Sequence, residues 1–255
     1  MLYEKELQIA RKAAAAAGEI AMRYRAQGVT AEQKVDLSPV TIADRECEKA
    51  IAAILHEAFP EDGILGEEGA SLESGNARRW IVDPIDGTRD FVRGNRAWAN
   101  LIALEVDGEV VVGVANLPAM GEMYYAAKGA GAFCNESRIH VSSISSPGEA
   151  VVCFNSFNAA DKHGLSSKLL DWLKCFWAVR SMGGCLDAVM VASGQADLWL
   201  EQTAQCWDLA PLKILVEEAG GRFFNYDGGS SIYGGNCVCC TPALESEARR
   251  FLGIG

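Results

Sequence analysis

The sequence predicts a mixed α/β protein, in which an antiparallel half is followed by a half of alternating strands and helices. Two observations support this prediction. Apolar strand-like runs follow one another from residue 98 to residue 135 with only short turns between them, whereas strands and helices alternate after residue 150. The chain has 255 residues and shows no internal repeat, so it forms either one large domain or two small ones.

The first half begins with two predicted helices and then turns to strands. Residues 3 to 27 form the first helix, and Thr41 begins the second, in which apolar residues recur with helical periodicity until Pro60. A short strand, G-I-L-G, leads into acidic residues. The continuous apolar run R-R-W-I-V-D-P-I-D-G at 78–87 predicts a strand that is covered on both faces. In the meander that follows, Asp107-Gly108 indicates a hairpin turn.

The second half has a different pattern. A-V-V-C-F-N, C-F-W-A-V-R and A-D-L-W-L-E are strand-like, whereas G-C-L-D-A-V-M-V-A-S-G, W-D-L-A-P-L-K-I-L-V-E-E-A-G-G and the C-terminal T-P-A-L-E-S-E-A-R-R-F-L-G are helix-like. The serine-rich stretch at 142–150 is the best candidate for a boundary. We therefore expect an N-terminal half of residues 1–145 and a C-terminal half of residues 146–255 that pack tightly into one unit.

Charge and composition argue against several classes of protein. The net charge is −11, from 34 acidic and 23 basic residues, whereas a nucleic-acid-binding protein usually carries a basic stripe. No apolar run reaches the roughly 18–20 residues that span a bilayer. Nine cysteines without a secretory cleavage pattern indicate reduced thiols. We expect a cytoplasmic protein that binds neither nucleic acid nor membrane.

Acidic residues stand where predicted strands end and predicted helices begin. Asp83 and Asp86 lie on either side of a proline at the end of the buried strand. Burying an unpaired carboxylate is costly, so such a pair normally holds a cation. Comparable positions are occupied by Asp44, Glu67, Glu68 and Asp208. An oxygen-rich set without grouped histidines suits a hard cation such as Mg²⁺ and argues against zinc.

The dipeptide Gly87-Thr88 adds a second kind of ligand. A glycine and a hydroxyl residue at the start of a short helix present free backbone N–H groups, which form a ready anion site. Carboxylates for Mg²⁺ beside amides for an oxyanion indicate phosphate chemistry. Taken singly, the acids have structural alternatives: Asp44 or Asp208 could be the N-cap of a helix, and Glu67-Glu68 a solvated turn.

Four stretches resemble the inositol monophosphatase superfamily of Mg²⁺-dependent, Li⁺-sensitive phosphatases. W-I-V-D-P-I-D-G-T-R-D-F at 80–91 matches the first signature of that family, and W-D-L-A-P-L-K-I-L-V-E-E-A-G-G at 207–221 matches the second. G-E-E at 66–68 and S-P-V-T-I-A-D at 38–44 match two further segments. The resemblance extends over nearly the whole chain. It implies a layered α/β/α/β/α sandwich of the inositol monophosphatase/fructose-1,6-bisphosphatase type.

The resemblance also implies roughly two or three Mg²⁺ ions per site. Glu67, Asp83 and the Ile85 carbonyl are the implied ligands of the first ion. Asp83, Asp86 and Asp208 are the implied ligands of the second. Members of the family are commonly dimeric, so a homodimer is the implied assembly.

For the reaction, the resemblance implies that the amides of Gly87 and Thr88 bind the phosphate group. The Thr88 hydroxyl and Asp44, together with Glu67, are the implied catalytic groups, which position the attacking water and deprotonate it. The metal and phosphate site then belongs to the N-terminal half, and the C-terminal half completes it.

The stretch F-V-R-G-N-R-A-W, the long meander and the W-D-L-A-x-L helix are most similar to the histidinol-phosphate phosphatase branch. The expected substrate is a small phosphate monoester, first L-histidinol phosphate and second myo-inositol 1-phosphate. Fructose 1,6-bisphosphate and 3′-phosphoadenosine 5′-phosphate are less expected.

Asp86, Gly183, Gly184 and Glu201 are the implied substrate contacts. For Glu201 a surface acid at a strand end is the alternative. The R-S-M-G-G-C-L-D stretch is shorter than the common form of the family, which leaves the substrate open. A non-catalytic binding protein is the competing class, and the presence of every expected metal ligand argues against it.

Overall fold

The structure, a computed structural model, describes residues 2–28, 32–33 and 39–255. In this part of the chain the α-helices are α1 (Glu4–Gln27), α2 (Ile42–Ala58), α3 (Thr88–Val92), α4 (Ser166–Leu173), α5 (Gly184–Ala192), α6 (Cys206–Glu218) and α7 (Glu245–Leu252). Short 3₁₀ helices lie at Pro147–Glu149, Phe157–His163 and Pro242–Leu244.

The strands form two large sheets and one short pair. They are β1 (Glu32–Gln33), β2 (Pro39–Val40), β3 (Gly63–Gly66), β4 (Ser71–Leu72), β5 (Arg78–Asp86), β6 (Ala99–Val106), β7 (Glu109–Leu117), β8 (Glu122–Ala127), β9 (Gly131–Cys134), β10 (Ser137–Ile139), β11 (Val151–Phe154), β12 (Ala178–Arg180), β13 (Leu198–Glu201), β14 (Arg222–Phe224) and β15 (Cys237–Cys240). The eight-stranded sheet has the order β10-β9-β8-β7-β6-β5-β3-β4, and the five-stranded sheet has the order β12-β11-β13-β15-β14. The larger sheet is antiparallel except where β3 pairs with β5, and in the smaller sheet β11 runs parallel to β12 and β13.

The two sheets alternate with three helical layers. α1 and α2 cover one face of the eight-stranded sheet, where Ile51 packs in the same core as Val82. α5 and α6 fill the space between the sheets, where Ile81 and Trp199 belong to one core. α4 and α7 cover the far face of the five-stranded sheet. The order is therefore α/β/α/β/α, and β5 is buried on both faces as its continuous apolar run predicts.

Most predicted elements are confirmed. α1 and α2 start and stop close to the expected residues, and Asp107 and Gly108 have φ values of 51° and 79° in the hairpin turn between β6 and β7. All nine cysteines are free. The patterns do not predict α4 or β14, because α4 begins without a side-chain cap and β14 has only three residues.

The structure does not test two of the expectations. Ser38, the first residue of S-P-V-T-I-A-D, lies outside the described residues, and the division of the chain at residue 145 stays a prediction. Across 2–28 and 39–255, no helix combines the length and the apolarity needed to cross a membrane.

Candidate active site

A bulge at Pro84 shapes the end of β5. Three steps along β5, from Asp83 to Asp86, oppose only two steps along β6. Proline has no N–H to give to the ladder and is tolerated at such a bulge, where its carbonyl accepts a hydrogen bond from Asn100 Nδ2 (2.7 Å). In a regular strand, residues three apart point to opposite faces. The extra residue therefore explains how both carboxylates reach the same site.

Gly87 turns the chain from β5 into α3. Its φ of 82° lies in the left-handed region, and a Cβ there would lie 2.8 Å from the Ala97 carbonyl oxygen, so a side chain does not fit. The first N–H groups of a helix have no partner within that helix, which leaves them for an anion. Thr88 Oγ1 lies 3.1 Å from the Ile85 carbonyl oxygen and 3.3 Å from Asp44 Oδ1.

Asp44 and Asp208 are each the third residue of a helix, so the N-cap alternative is wrong in position. Asp44 Oδ2 accepts hydrogen bonds from the N–H (2.8 Å) and the hydroxyl (2.6 Å) of Thr41, at the start of α2. Asp208 Oδ2 accepts from the Gln205 N–H (2.7 Å), at the start of α6. Both aspartates complete capping boxes with one oxygen. The cap leaves the other oxygen of each: that of Asp44 faces Thr88, and the Asp208 carboxyl shares a hydrogen bond with Asp83.

The carboxylates of Asp83, Asp86 and Asp208 form an acid cluster, in which one oxygen of each lies within 4.8 Å of the other two. Burial and the nearby charge of Glu67 hold the pKa of Asp83 well above its usual range, and the Glu67 and Asp83 carboxyls share a hydrogen bond. Burial and the charge of Asp86 raise the pKa of Asp208 from 3.8 to about 7. Three like charges at this spacing repel one another, so a proton or a cation must stabilise them.

A cavity of about 520 Å³ contains the acid cluster. The described wall residues carry six carboxylates, those of Glu67, Asp83, Asp86, Asp90, Glu201 and Asp208, but only one guanidinium, that of Arg89, and no lysine or histidine. A phosphate dianion would be repelled by this field. Oxygen ligands of this kind suit hard divalent cations. The residues therefore fit a divalent metal, which would make the cavity able to accept an anion.

The first turn of α5 and the residues just before it close one side of the acid cluster. The Cys185 N–H donates a hydrogen bond to Asp86 Oδ2 (3.1 Å). A Cβ on Gly184 would lie 3.7 Å from both oxygens of Asp86, so the glycine backbone passes close to this carboxylate. The buried carboxylate of Asp187 accepts a hydrogen bond from the Gly183 N–H (3.3 Å) and so stabilises the backbone just before α5.

Glu201, the last residue of β13, is only 6% exposed, so the alternative of a surface acid is wrong. Its Oε1 accepts hydrogen bonds from Ser156 Oγ (2.8 Å), the Gln202 N–H (3.0 Å) and the Thr203 N–H (3.4 Å). None of these three bonds uses Oε2. Ser156 has a φ of 56°, an unusual value for a residue with a side chain. Its strained backbone directs the hydroxyl to Glu201.

The cavity brings together all but one of the predicted site residues. Those that line it are Glu67, Asp83, Ile85, Asp86, Gly87, Thr88, Gly183, Gly184, Glu201 and Asp208. Asp44 is fully buried and contacts the Thr88 hydroxyl from behind. The sequence patterns miss Asn155, Ser156 and Ser181, which also line the cavity. For Asn155 and Ser156 a signal exists, since they directly follow the strand β11, and strand ends commonly build sites.

An oxygen-ligand cluster that fits a divalent metal lies beside an anion-binding turn in this cavity, and such an arrangement suits the hydrolysis of phosphate esters. The model of the inositol monophosphatase family matches residues 2–251. The chain belongs to this family and is a phosphoric monoester hydrolase.

Individual relatives agree with this assignment. A histidinol-phosphatase of Mycobacterium tuberculosis is 39% identical over 92% of both chains. An inositol-1-monophosphatase of Rhizobium meliloti is 35% identical over 84% of this chain and 82% of the relative. The solved structure of an IMPase from Thermotoga maritima has a TM-score of 0.89 and 30% identity, and the match covers 98% of this chain and 97% of that one.

The metal-free protein should lose stability as the pH rises from acidic values to about 7. Asp208 has an ordinary pKa of 3.8 that the fold raises to about 7, so the stabilisation is complete below the lower value and is lost as the pH rises through the higher one. In EDTA, Tm should fall by about 5 °C or more between about pH 5 and pH 8, since 1 kcal/mol shifts Tm by roughly 2–4 °C in a chain of this size.

Thermal unfolding with and without Mg²⁺ checks this prediction. Mg²⁺ should remove most of the loss, because a cation can replace the proton. Asp208→Asn is the control, and its Tm in EDTA should depend less on pH than that of the wild type. An equal dependence in both proteins would show that other groups cause it.

Proposed function

We propose that this protein hydrolyses a small phosphate monoester with the help of Mg²⁺ ions. The observation that carries the proposal is a cavity whose described walls hold six carboxylates and one guanidinium, yet the amides of Gly87 and Thr88 offer an anion site. These two features are compatible only when cations are bound. Phosphate release from a monoester, measured with Mg²⁺ and again with EDTA, tests the proposal. Equal rates in the two conditions would contradict it.

The donor set indicates which groups would hold the ions. Glu67, Asp83 and the Ile85 carbonyl would serve one ion, and Asp83, Asp86 and Asp208 the other. When bound, such ions neutralise phosphate charge and lower the pKa of water. The N–H groups of Gly87 and Thr88 would orient the phosphate so that the attacking oxygen and the leaving oxygen are in line.

Thr88 and Asp44 provide a path for the proton of the attacking water. Thr88 lines the cavity, and its hydroxyl lies 3.3 Å from Asp44 Oδ1. Burial raises the pKa of Asp44 to about 6, which suits a general base near neutral pH. As the water oxygen bonds to phosphorus, its proton passes to Thr88 Oγ1 and the hydroxyl proton passes to Asp44 Oδ1. The ester P–O bond breaks, and the leaving oxygen gains a proton from solvent.

We propose L-histidinol phosphate as the substrate, with myo-inositol 1-phosphate as the alternative. Three relatives named histidinol-phosphatase are 39%, 39% and 36% identical over 92%, 98% and 98% of this chain. The inositol-1-monophosphatase relative matches a smaller share, 84%. The chemistry of Glu201 supports the same choice, because a buried carboxylate in the cavity attracts the ammonium group that histidinol phosphate has and inositol phosphate lacks.

Glu201→Gln should lower kcat/KM for histidinol phosphate about tenfold or more, and lower it less for inositol 1-phosphate. The Oε1 of Glu201 accepts from three donors, so a glutamine keeps its oxygen there and turns its NH₂ group to the position of Oε2. That NH₂ group faces the ammonium instead of accepting from it. A lost hydrogen bond to a charged group costs about 1.5–3 kcal/mol, which corresponds to this change.

Steady-state kinetics with both substrates check this prediction. Glu105→Gln is the control, because Glu105 is also buried, at 5% exposed, but pairs with Arg79 away from this cavity. It should leave the ratio of the two kcat/KM values unchanged. If the wild type prefers inositol 1-phosphate and Glu201→Gln weakens both substrates equally, the substrate proposal fails and the phosphatase proposal stands.

Lithium should inhibit at millimolar concentration in competition with Mg²⁺, because the all-oxygen acid cluster accepts a small hard cation. Phosphate release at increasing LiCl, at low and high Mg²⁺, measures this effect. Full activity at about 100 mM LiCl would contradict it. The cytoplasmic location, the homodimer and the absence of a nucleic-acid or membrane partner stay predictions.

A further inference from the structure

Glu48 is a buried acid outside the cavity that no proposed step uses. It lies on α2, four residues after Asp44 and therefore on the same face of the helix, and it is 4% exposed. One of its oxygens accepts a hydrogen bond from the Glu68 N–H (2.8 Å), and the other accepts from the Ala70 N–H (2.7 Å). Both partners are neutral amides, and burial raises the pKa of Glu48. A carboxylate held in this way costs stability, which suggests a functional reason for it.

The backbone around Glu48 leaves space for its carboxylate. Gly66 has no need for a left-handed φ, yet a Cβ there would lie 2.3 Å from Glu48 Oε2. A hydrogen bond from the Gly66 N–H to the Ala70 carbonyl (2.7 Å) closes the turn at 66–70. The turn at 66–70 therefore depends on Glu48, and the glycine keeps space for it.

Glu67 stands at the centre of this turn. Its own N–H donates to the Val82 carbonyl on β5 (3.1 Å), and the next N–H, of Glu68, donates to Glu48. The backbone of Glu67 is thus held on one side by β5 and on the other by α2. This fixes the direction from which its carboxyl reaches that of Asp83.

We infer that Glu48 is a positioning residue that sets the metal affinity of the site through the turn that carries Glu67, without touching a cation. The inference rests on the proposed role of Glu67 as a metal ligand. It also explains why one helix bears both Asp44 and Glu48. Through these two residues, α2 fixes the position of the proposed general base relative to the turn that carries Glu67. Residues that orient metal ligands typically change metal affinity by 10–100-fold when they are replaced.

Glu48→Gln should therefore weaken Mg²⁺ binding by about tenfold, while kcat at saturating Mg²⁺ falls by less than about threefold. A glutamine can accept from only one of the two N–H groups and places its own N–H groups against the other. Mg²⁺ binding is measured by calorimetry on the metal-free protein, and kcat by phosphate release. Gly66→Ala is a second test, because the added Cβ displaces the Glu48 carboxylate and should weaken Mg²⁺ binding in the same way.

The chain offers a matched control in Glu218, at the end of α6. It accepts from the N–H groups of Gly129 (2.8 Å) and Gly131 (2.7 Å), which is the same two-amide clamp outside the cavity. Glu218→Gln should lower Tm and leave Mg²⁺ affinity unchanged. If Glu48→Gln and Gly66→Ala behave like Glu218→Gln, Glu48 is only structural and the inference is overturned.

Glu67→Gln separates this failure from failure of the proposed function. If Glu67→Gln weakens Mg²⁺ binding and Glu48→Gln does not, only the role of Glu48 is wrong. If Glu67→Gln has no effect on Mg²⁺ binding, the metal-ligand proposal itself fails, and the inference fails with it. A fall in kcat of more than about a hundredfold in Glu48→Gln at saturating Mg²⁺ would also overturn the inference, because that is the size expected of a directly catalytic group.

Discussion

Asp83→Asn should lower kcat by at least ~10³-fold and at the same time raise the Tm of the metal-free protein. Asp83 is the central member of the site, since its carboxyl shares hydrogen bonds with both Glu67 and Asp208. Its loss damages both proposed ion sites at once. Without metal, however, Asp83 is a 2%-exposed carboxyl whose pKa burial holds well above its usual range. A neutral asparagine relieves that cost.

The opposite directions of these two effects make the prediction specific. The turn at Pro84 should survive, because an asparagine oxygen can still accept from the Ile85 N–H, as Asp83 Oδ1 does at 3.0 Å. Thermal unfolding in EDTA measures the gain in Tm, and phosphate release at saturating Mg²⁺ measures the loss in kcat. Mg²⁺ should raise the Tm of the variant less than that of the wild type.

Asp197→Asn provides the comparison. Asp197 is 4% exposed and accepts from the Val151 N–H (2.7 Å), but it does not line the cavity. Its replacement should lower Tm and leave kcat within about threefold of wild type, as for an ordinary buried acid. An Asp83→Asn protein that keeps a tenth of the wild-type kcat would show that the two ion sites do not share this carboxylate.

The end of β5 shows what the sequence can predict and why. Two acids around a proline, followed by a glycine and a hydroxyl residue, predict a site because the local backbone conformation requires particular residue types at these positions. Proline breaks the ladder, and Gly87 takes a left-handed φ where a Cβ would collide with the Ala97 carbonyl. Such requirements of the local backbone can be recognised from the amino-acid sequence alone. The convergence of Asp83, Asp86, Gly87 and Thr88 on one cavity was predictable for that reason.

The side of the cavity formed by α5 and the end of β13 depends instead on contacts between distant segments. Ser156 directs its hydroxyl to Glu201 across 45 residues, and Cys185 donates its N–H to Asp86 across 99. No periodicity or spacing marks such pairs. The same holds for Glu48. In the sequence it is one more polar residue of an amphipathic helix, and only the structure shows its contact with the turn at 66–70.

Asp44 is a different case, because the sequence offered two interpretations, a helix cap and a catalytic acid, and the catalytic role stays a prediction. Oδ2 completes the capping box with Thr41, while Oδ1 faces Thr88. At a helix start, one carboxylate can therefore complete the cap with one oxygen and offer the other to a residue of the cavity wall. The pattern alone could not assign the two oxygens, since that depends on how α2 packs against β5.

Thr88→Ala and Asp44→Asn should each lower kcat by ~10²-fold, and the double variant should lose far less than the ~10⁴-fold product of the two effects. Asp44 is 0% exposed and does not line the cavity, so among the described residues it is the Thr88 hydroxyl that connects Asp44 to the cavity. Once that hydroxyl is gone, replacing Asp44 removes little more. KM should change little in all three variants, because the Thr88 N–H remains to bind phosphate.

Kinetics of the wild type and the three variants, at saturating Mg²⁺ and over a range of pH, complete this double-mutant cycle. In the wild type kcat should rise with pH as Asp44 loses its proton, and this limb should be absent from Asp44→Asn. Thr241→Ala is the control, because Thr241 is another buried threonine whose hydroxyl donates to a carbonyl, that of Ile144 (3.3 Å), away from the cavity. It should leave kcat within about twofold. Multiplicative losses would mean that Asp44 reaches the attacking water by a route other than Thr88, and the proton path from water through Thr88 Oγ1 to Asp44 Oδ1 would then be wrong.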